Sequence, residues 1–223
     1  MDNKDEKSNF HDLRINYQNT PLVESNLPSS PIKFFQDWFD QAILAGEIEP
    51  NGMVFSTLQE TRLRSRVVLL KEIDGQQFIF YTGLSSDKGQ EMLKHPTGSF
   101  NFWWRVLHRQ VRIEGKLSLV SAQKNQEYFS SRPRASQLAV LAQKQTKVIS
   151  SRDDLLKKYK ETEDKYAGQE KLKCPDDWGG IALTPDYLEF WQGQPNRLHD
   201  RIIFEKNVSS NQTPEWKIYR LSP

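Results

Sequence analysis

The chain has 223 residues, with 36% hydrophobic, 27% charged and 11% aromatic side chains, enough for one substantial core and hardly two. Its 31 Lys+Arg against 29 Asp+Glu leave a formal net charge of +2, which excludes a sign-specific field for nucleic acid or an anionic membrane and makes any anion recognition local. One cysteine, Cys174, excludes an intramolecular disulfide framework and a thiolate metal cluster; with no run near the ~18 apolar residues of a membrane span and no apolar stretch in MDNKDEKSNF, the expectation is a soluble protein of the reducing cytoplasm.

Residues 1–11 read as a disordered polar tail. Residues 12–29 carry a sparse apolar pattern, Leu13, Tyr17, Leu22 and Val23, expected of an arm laid on a body. The single domain is expected over 30–223. Ser30-Pro31 pairs an N-cap hydroxyl with proline at the first helical position, Phe34, Phe35, Trp38, Phe39, Ala42 and Ile43 follow at helical spacing, and Gly46 stops the helix. So dense an aromatic face is core.

From Met53 the signal changes to short β-branched and aromatic runs: Met53–Leu58, Ser65–Lys71, Gln77–Thr82, Ser99–Trp104 and Gln110–Leu119. Asp74-Gly75 marks a hairpin between two of them. Ser86-Asp87 opens a short helix ending before Pro96, and Ser121 opens another through Tyr128 and Phe129 that Pro133 terminates. Residues 143–173 hold 15 charged side chains, yet Leu155, Leu156, Tyr159 and Tyr166 recur behind the capping box Ser151–Asp154, so a solvated helix is expected. Strands Tyr187–Gln192, Arg201–Lys206 and Trp216–Leu221 close the chain. Many short strands with few helices between them predict an α+β fold, an antiparallel barrel decorated by helices.

No G-x-G-x-x-G, P-loop, H-E-x-x-H or G-x-S-x-G is present, and the four histidines have no metal-ligand spacing, so no metal is expected. What remains is a set of cations. Arg66 and Lys71 flank VVLL, and their spacing places them on opposite faces of a regular strand, either as the polar ends of a buried strand or as contacts to two different ligands. In WQGQPNRLHDR, Arg197, His199 and Arg201 alternate with Leu198 and Asp200, as on one face of an extended segment, which is either solvated or built for an anion. SSRPRASQ brings Arg132, Arg134 and Ser136 together at a helix end, stiffened by proline.

These segments carry a resemblance. RVVLLK at 66–71, FYTGLSSDKG at 80–89, RQVRIEG at 109–115, YFSSRPRASQ at 128–137 and FWQGQPNRLHDR at 190–201, with DLRINY at 12–17, PIKFFQDWF in the first helix and the C-terminal WKIYRLSP, resemble the pyridoxamine 5′-phosphate oxidase family over about residues 12–223. The resemblance implies an FMN-binding split β-barrel, a homodimer with FMN at the subunit interface. It implies oxidation of pyridoxamine or pyridoxine 5′-phosphate to pyridoxal 5′-phosphate, with O2 as acceptor and hydrogen peroxide as product. By position it implies FMN contacts at Arg66, Val67, Val68, Leu69, Leu70, Lys71, Tyr81, Thr82, Lys88, Gln110, Gln145, Thr146, Trp191 and Arg201. Substrate contacts are implied at Lys71, Tyr128, Arg132 and Ser136 for the phosphate, at Arg197 and His199 for the ring, and at Arg14 and Tyr17 in a lid; Arg197 and His199 are the candidate catalytic pair, working by positioning. The chain departs from the family pattern at Asp87, where Arg is usual, at Thr146 for Ser, at Ala139-Val140-Leu141 for Gly-Ala-Trp and at Ala182 for Arg, which bears on flavin affinity. A divergent paralogue that binds the vitamer phosphate or FMN with weak or no turnover is the alternative.

Overall fold

The protein is described by a computed structural model covering residues 15–207 and 215–223. The tail at 1–11 and the lid residue Arg14 lie outside the described residues.

Helix α1 (Pro31–Leu44) begins as its sequence predicts: the Ser30 hydroxyl accepts the Lys33 N–H and Pro31 occupies the first turn. Its buried face, Ile32, Phe34, Phe35, Trp38 and Ala42, is the lid of the main core. Phe35 packs edge-on against Phe78 and Phe102 at ring distances of 4.9 and 5.0 Å, and Phe34 meets Phe190 at 4.3 Å. Each such ring, fully buried, contributes on the order of 3 kcal/mol.

Among the described residues nine strands follow: β1 (Gly52–Gln59), β2 (Arg62–Leu69), β3 (Glu72–Asp74), β4 (Gln77–Gly83), β5 (Thr97–Trp104), β6 (Arg109–Leu119), β7 (Trp178–Gln192), β8 (Asp200–Lys206) and β9 (Trp216–Arg220). They form one antiparallel sheet in the order β2-β1-β5-β6-β7-β4-β3, with β8 added to β7 and β9 to β8. The sheet curls around Phe55, Phe80, Phe100 and Ile113 without closing: the helix-decorated antiparallel barrel that the strand pattern predicts, open as the resemblance to a split barrel implies. A bulge at Glu114/Gly115 bends β6 where it crosses Pro185; a Cβ on Gly115 would lie 2.1 Å from the Thr184 carbonyl oxygen, so glycine alone fits.

Strand β7 organises the molecule. Its first half pairs with β4 (Tyr81↔Gly180), its second half with β8 (Trp191↔Arg201), and β6 runs along its other edge. The sequence predicted only its second half, because Gly179-Gly180 and Pro185 break the propensity of the first; buried contacts to β4 and β6 override that loss.

Helices α2 (Asp87–Lys94), α3 (Ala122–Ser131), α4 (Arg134–Ala142) and α5 (Arg152–Lys165) decorate the barrel. Pro133 ends α3 as predicted, but the chain restarts directly as α4, whose Leu138 joins Phe129, Leu172, Cys174 and Trp178 in a second, smaller core. Helix α5 buries no residue, the solvated helix its charge density predicts.

Two further expectations are corrected. Strand β2 ends at Leu69, so Arg66 and Lys71 do not occupy opposite faces of one strand: the Leu70 N–H donates to Asn51 and the Lys71 N–H to Ile79, and Lys71 leads exposed into the β3–β4 hairpin. The Arg197–Arg201 segment is not extended throughout. Pro195–Arg197 is a 3-10 turn with Asn196 and Arg197 at φ 56° and 63°, and the strand starts only at Asp200. Proline at 195 fixes the turn, and the following two residues take the left-handed region that Asn tolerates and Arg resists.

Candidate functional site

Two clusters of cations and aromatics lie near opposite ends of β7. The first surrounds a cavity of about 280 Å³ lined by Tyr81, Thr82, Arg132, Ser136, Gln145 and Trp178, among others. Tyr81, Tyr128 and Trp178 stand parallel, the two tyrosines 3.7 Å apart, and the Arg132 guanidinium lies 4.9 Å over the Trp178 ring. Arg132 caps the end of α3 and Ser136 sits in the first turn of α4, so the Pro133 break aims both inward. Arg134 diverges from them and bonds the Tyr166 carbonyl, which separates the trio expected at this helix junction.

Beside this cavity Lys88, in the first turn of α2, is 7% exposed, and its ammonium donates to the Thr82 and Ser86 hydroxyls at 3.0 and 3.3 Å. Burial, reinforced by Arg66, holds its pKa below the ordinary lysine value, with Asp87 and Glu91 opposing. Arg66 reaches the same region from β2, tied to Thr57 at 2.6 Å and to the buried Glu91 carboxylate at 2.9 Å. The Gln145 side-chain oxygen accepts from the Thr82 hydroxyl and the Gly83 N–H, and the Thr146 hydroxyl accepts the Asp87 N–H at the helix start. Asp87 itself turns toward Arg64, 4.0 Å away, and lines a separate shallow hollow with Gln90 and Glu91.

The polar groups here are under-satisfied. The Arg132 Nη1 and Tyr81 hydroxyl are buried without a hydrogen-bond partner, and burial pushes the Tyr81 phenol up to about 12 and lowers the Arg132 guanidinium. Buried cations held by hydroxyls, beside orphaned donors, are the donor set of a phosphorylated ligand. The residues present therefore fit a phosphorylated cofactor such as FMN.

The second cluster lines a cleft of about 680 Å³ with Tyr17, Trp191, Gln194, Arg197 and His199. The Gln194 N–H donates to His199 Nδ1 at 3.0 Å, which fixes the tautomer with the proton on Nε2. Burial, then the charge of Arg197, keeps the His199 pKa below 6.5, so the ring is a neutral donor at pH 7. Tyr17 lies 5.8 Å from the His199 ring and 6.0 Å from Trp191; it packs so tightly on Gly193 that a Cβ there would stand 2.6 Å from it. Gln110, Trp191 and Arg201 form one cross-strand row, with Arg201 held by the buried Glu189 at 2.7 Å.

Residues Lys71 and Val67 are exposed and Leu70 is buried, so these three line neither cavity in a single chain. Gly180 and Trp191, eleven positions apart, set the two clusters near opposite ends of β7, a span of up to about 36 Å for a straight strand. Sequence reasoning missed Glu91, Glu189 and Gln194, the buried partners of Arg66, Arg201 and His199, and Asp200, which holds Gln194. A lone carboxylate inside the apolar run YLEFW was the available sign of Glu189.

An open, helix-decorated split barrel with anion-ready cavities is a fold for binding phosphorylated small molecules. The family model described as pyridoxamine 5′-phosphate oxidase matches residues 39–166, and the one described as pyridoxine 5′-phosphate oxidase C-terminal dimerisation region matches 178–223. The chain is 44% identical over 213 residues to the pyridoxine/pyridoxamine 5′-phosphate oxidase of Cyanothece sp., covering 95% of this chain and 97% of that one. It is 44% identical over 218 residues to the enzyme so named from Acaryochloris marina, covering 97% of each. The crystal structure of PhzG from Burkholderia lata, in complex with tetrahydrophenazine-1-carboxylic acid, superposes with a TM-score of 0.83 at 26% identity, covering 91% of this chain and 98% of that one. The chain belongs to the pyridoxamine 5′-phosphate oxidase family.

Proposed function

We propose that the protein is an FMN-dependent oxidase that converts pyridoxine or pyridoxamine 5′-phosphate to pyridoxal 5′-phosphate. The single observation that carries this reading is the buried Lys88 bonded to Thr82, a residue of the same cavity wall as Arg132 with its orphaned Nη1. FMN, when bound, supplies the two-electron acceptor and passes the electrons to O2. The balance is alcohol plus O2 to aldehyde plus hydrogen peroxide; the amine substrate additionally consumes water and releases ammonia.

Arg66, Thr82 and Lys88, with Gln145 and Thr146, would hold the FMN phosphate. Arg132, Ser136, Tyr128 and Lys71 hold the vitamer phosphate as charge-assisted and hydroxyl donors. From the other cluster, Arg197 and the neutral Nε2–H of His199 would hold the pyridine ring, and Trp191, Gln110 and Arg201 would hold the flavin. Positioning is the protein's contribution, worth more here than acid–base chemistry. Because the clusters lie near opposite ends of β7 within one chain, a complete site takes one cluster from each of two copies. A homodimer with two interfacial clefts follows, and the match of residues 178–223 to a dimerisation region supports it.

The test is direct. Purified protein loaded with FMN should be yellow and release peroxide when pyridoxine 5′-phosphate is added. Failure to bind FMN would overturn the reading; yellow protein that releases no peroxide with either vitamer would favour a binding protein instead.

A further inference from the structure

The arm at residues 17–24 is fastened to the body by hydrogen bonds. Asn19 Nδ2 donates to the Gly193 carbonyl at 2.9 Å, and Gln192 Nε2 donates to the Thr20 carbonyl at 2.8 Å. Asn19 also donates to the Leu107 carbonyl at 3.3 Å, and a further set of bonds converges on Asp200, a carboxylate only 5% exposed. Its Oδ2 accepts the Leu22 N–H of the arm at 3.1 Å and the Gln194 amide of the loop at 2.7 Å. Its Oδ1 pairs with Arg220 Nη1 of β9 at 2.5 Å, and Arg220 in turn donates to the Leu22 carbonyl and to Glu24, each at 2.6 Å.

Three segments distant in sequence thus meet at one buried carboxylate, and two of them carry the walls of the cleft. Through Leu22, Asp200 seats the arm that presents Tyr17. Through the Gln194 side chain it fixes the residue whose backbone N–H sets the His199 tautomer. Asp200 does not itself line the cleft, so it touches no ligand there. A buried carboxylate whose bonds tie three otherwise separate segments together is an alignment device, since removing its oxygens leaves Arg220 paired with the exposed Glu24 and the Leu22 N–H without its acceptor.

We propose that Asp200, latched by Arg220, is a positioning residue for vitamer binding that holds Tyr17 and His199 together as one wall of the substrate cleft. This rests on the reading of the Arg197–His199 cleft as the vitamer site. In Asp200→Asn the amide presents a donor to Arg220 and the latch opens. The expected result is a rise of about 10-fold or more in KM for pyridoxine 5′-phosphate, with kcat within about 3-fold and the Kd for FMN unchanged. Pyridoxal 5′-phosphate binding to the flavin-stripped full-length protein should weaken in parallel.

The decisive measurement combines this change with Tyr17→Ala. If Asp200 acts through the arm, Tyr17→Ala raises KM about 10-fold in the natural chain and less than about 3-fold in Asp200→Asn. Factors that simply multiply, or an unchanged KM in Asp200→Asn, overturn the proposal. Tyr17→Ala without effect in the natural chain overturns the cleft reading itself, and the latch with it. Should Asp200→Asn fail to fold, Arg220→Gln on the exposed side of the latch carries the same expectations.

Discussion

Replacing Lys88 by methionine should have opposite effects on the empty and the flavin-loaded protein. In the chain as it stands the ammonium is buried against two hydroxyls. Its pKa lies below the ordinary lysine value because burial, then Arg66, disfavours the charged form. A base depressed in the folded state subtracts stability at pH 7, and that loss shrinks as pH rises toward the ordinary lysine value near 10.5. Methionine removes the charge and keeps the volume. Both hydroxyls keep donor bonds of their own, Thr82 to Gln145 and Ser86 to the Gly83 carbonyl, so only acceptor capacity is lost. Flavin-stripped Lys88→Met should therefore gain on the order of 1 kcal/mol, or about 2–4 °C in Tm for a chain of this size. The phosphate of FMN loses a charge-assisted partner worth about 1.5–3 kcal/mol, so its Kd should rise about 10- to 150-fold. Thermal unfolding of the stripped protein and quenching of flavin fluorescence on titration measure the two quantities separately. A lower Tm together with an unchanged Kd would refute the assignment of Lys88 to an anion and make it a structural lysine.

Asp87→Arg should tighten FMN by about 5-fold at low salt, an effect lost near 1 M salt, because the exposed carboxylate faces Arg64 rather than the cavity; fluorescence titrations at two ionic strengths check this. Arg197→Ala should leave FMN bound while lowering kcat/KM by at least about 10-fold, and loss of flavin with a normal KM would mean the role is misassigned. His199 should titrate with an NMR midpoint below 6.5, and kcat/KM should be level above pH 7 and fall as pH drops through that lowered midpoint, where protonation of Nδ1 expels the Gln194 N–H; a midpoint above 6.5 contradicts the fixed tautomer. Co-expressing Arg132→Ala with Arg197→Ala chains should restore about a quarter of natural activity, since half the dimers are hybrids with one undamaged cleft; no recovery would argue against clefts shared between copies.

The aromatic helix was legible because Ser30, Pro31 and the Phe/Trp spacing act locally, and β1, β4, β5 and β6 because their apolar residues keep strand period. The first half of β7 was not, since two glycines and a proline hide a strand whose stability comes from pairing on both edges. Helix α4 was hidden by Pro133, which reads as an end and is equally a beginning. The candidate site residues were found as a family pattern; their geometry was not. An alternation of Arg197, His199 and Arg201 predicts one extended face, whereas the left-handed pair Asn196-Arg197 turns the first of them away from strand geometry. Nor does any local pattern reveal that Glu91 and Glu189 are buried against arginines, because those pairings join residues 12 or more positions apart.

Strand β2 lies at one end of the sheet, hydrogen-bonded on one side only, to β1. Arg62, Arg64 and Arg66 alternate along it with Leu63, Ser65 and Val67, and Leu63 and Val67 are 82% and 71% exposed. An open edge with exposed aliphatic groups invites another strand to add to it, and with it aggregation of the chain before it has a partner. The exposed guanidinium groups of Arg62 and Arg64 counter that, because a second β2 laid alongside would bring like charges together, whereas Arg66 is held by the buried Glu91. Neutralising Arg62 and Arg64 would thus cost the isolated chain its solubility during folding.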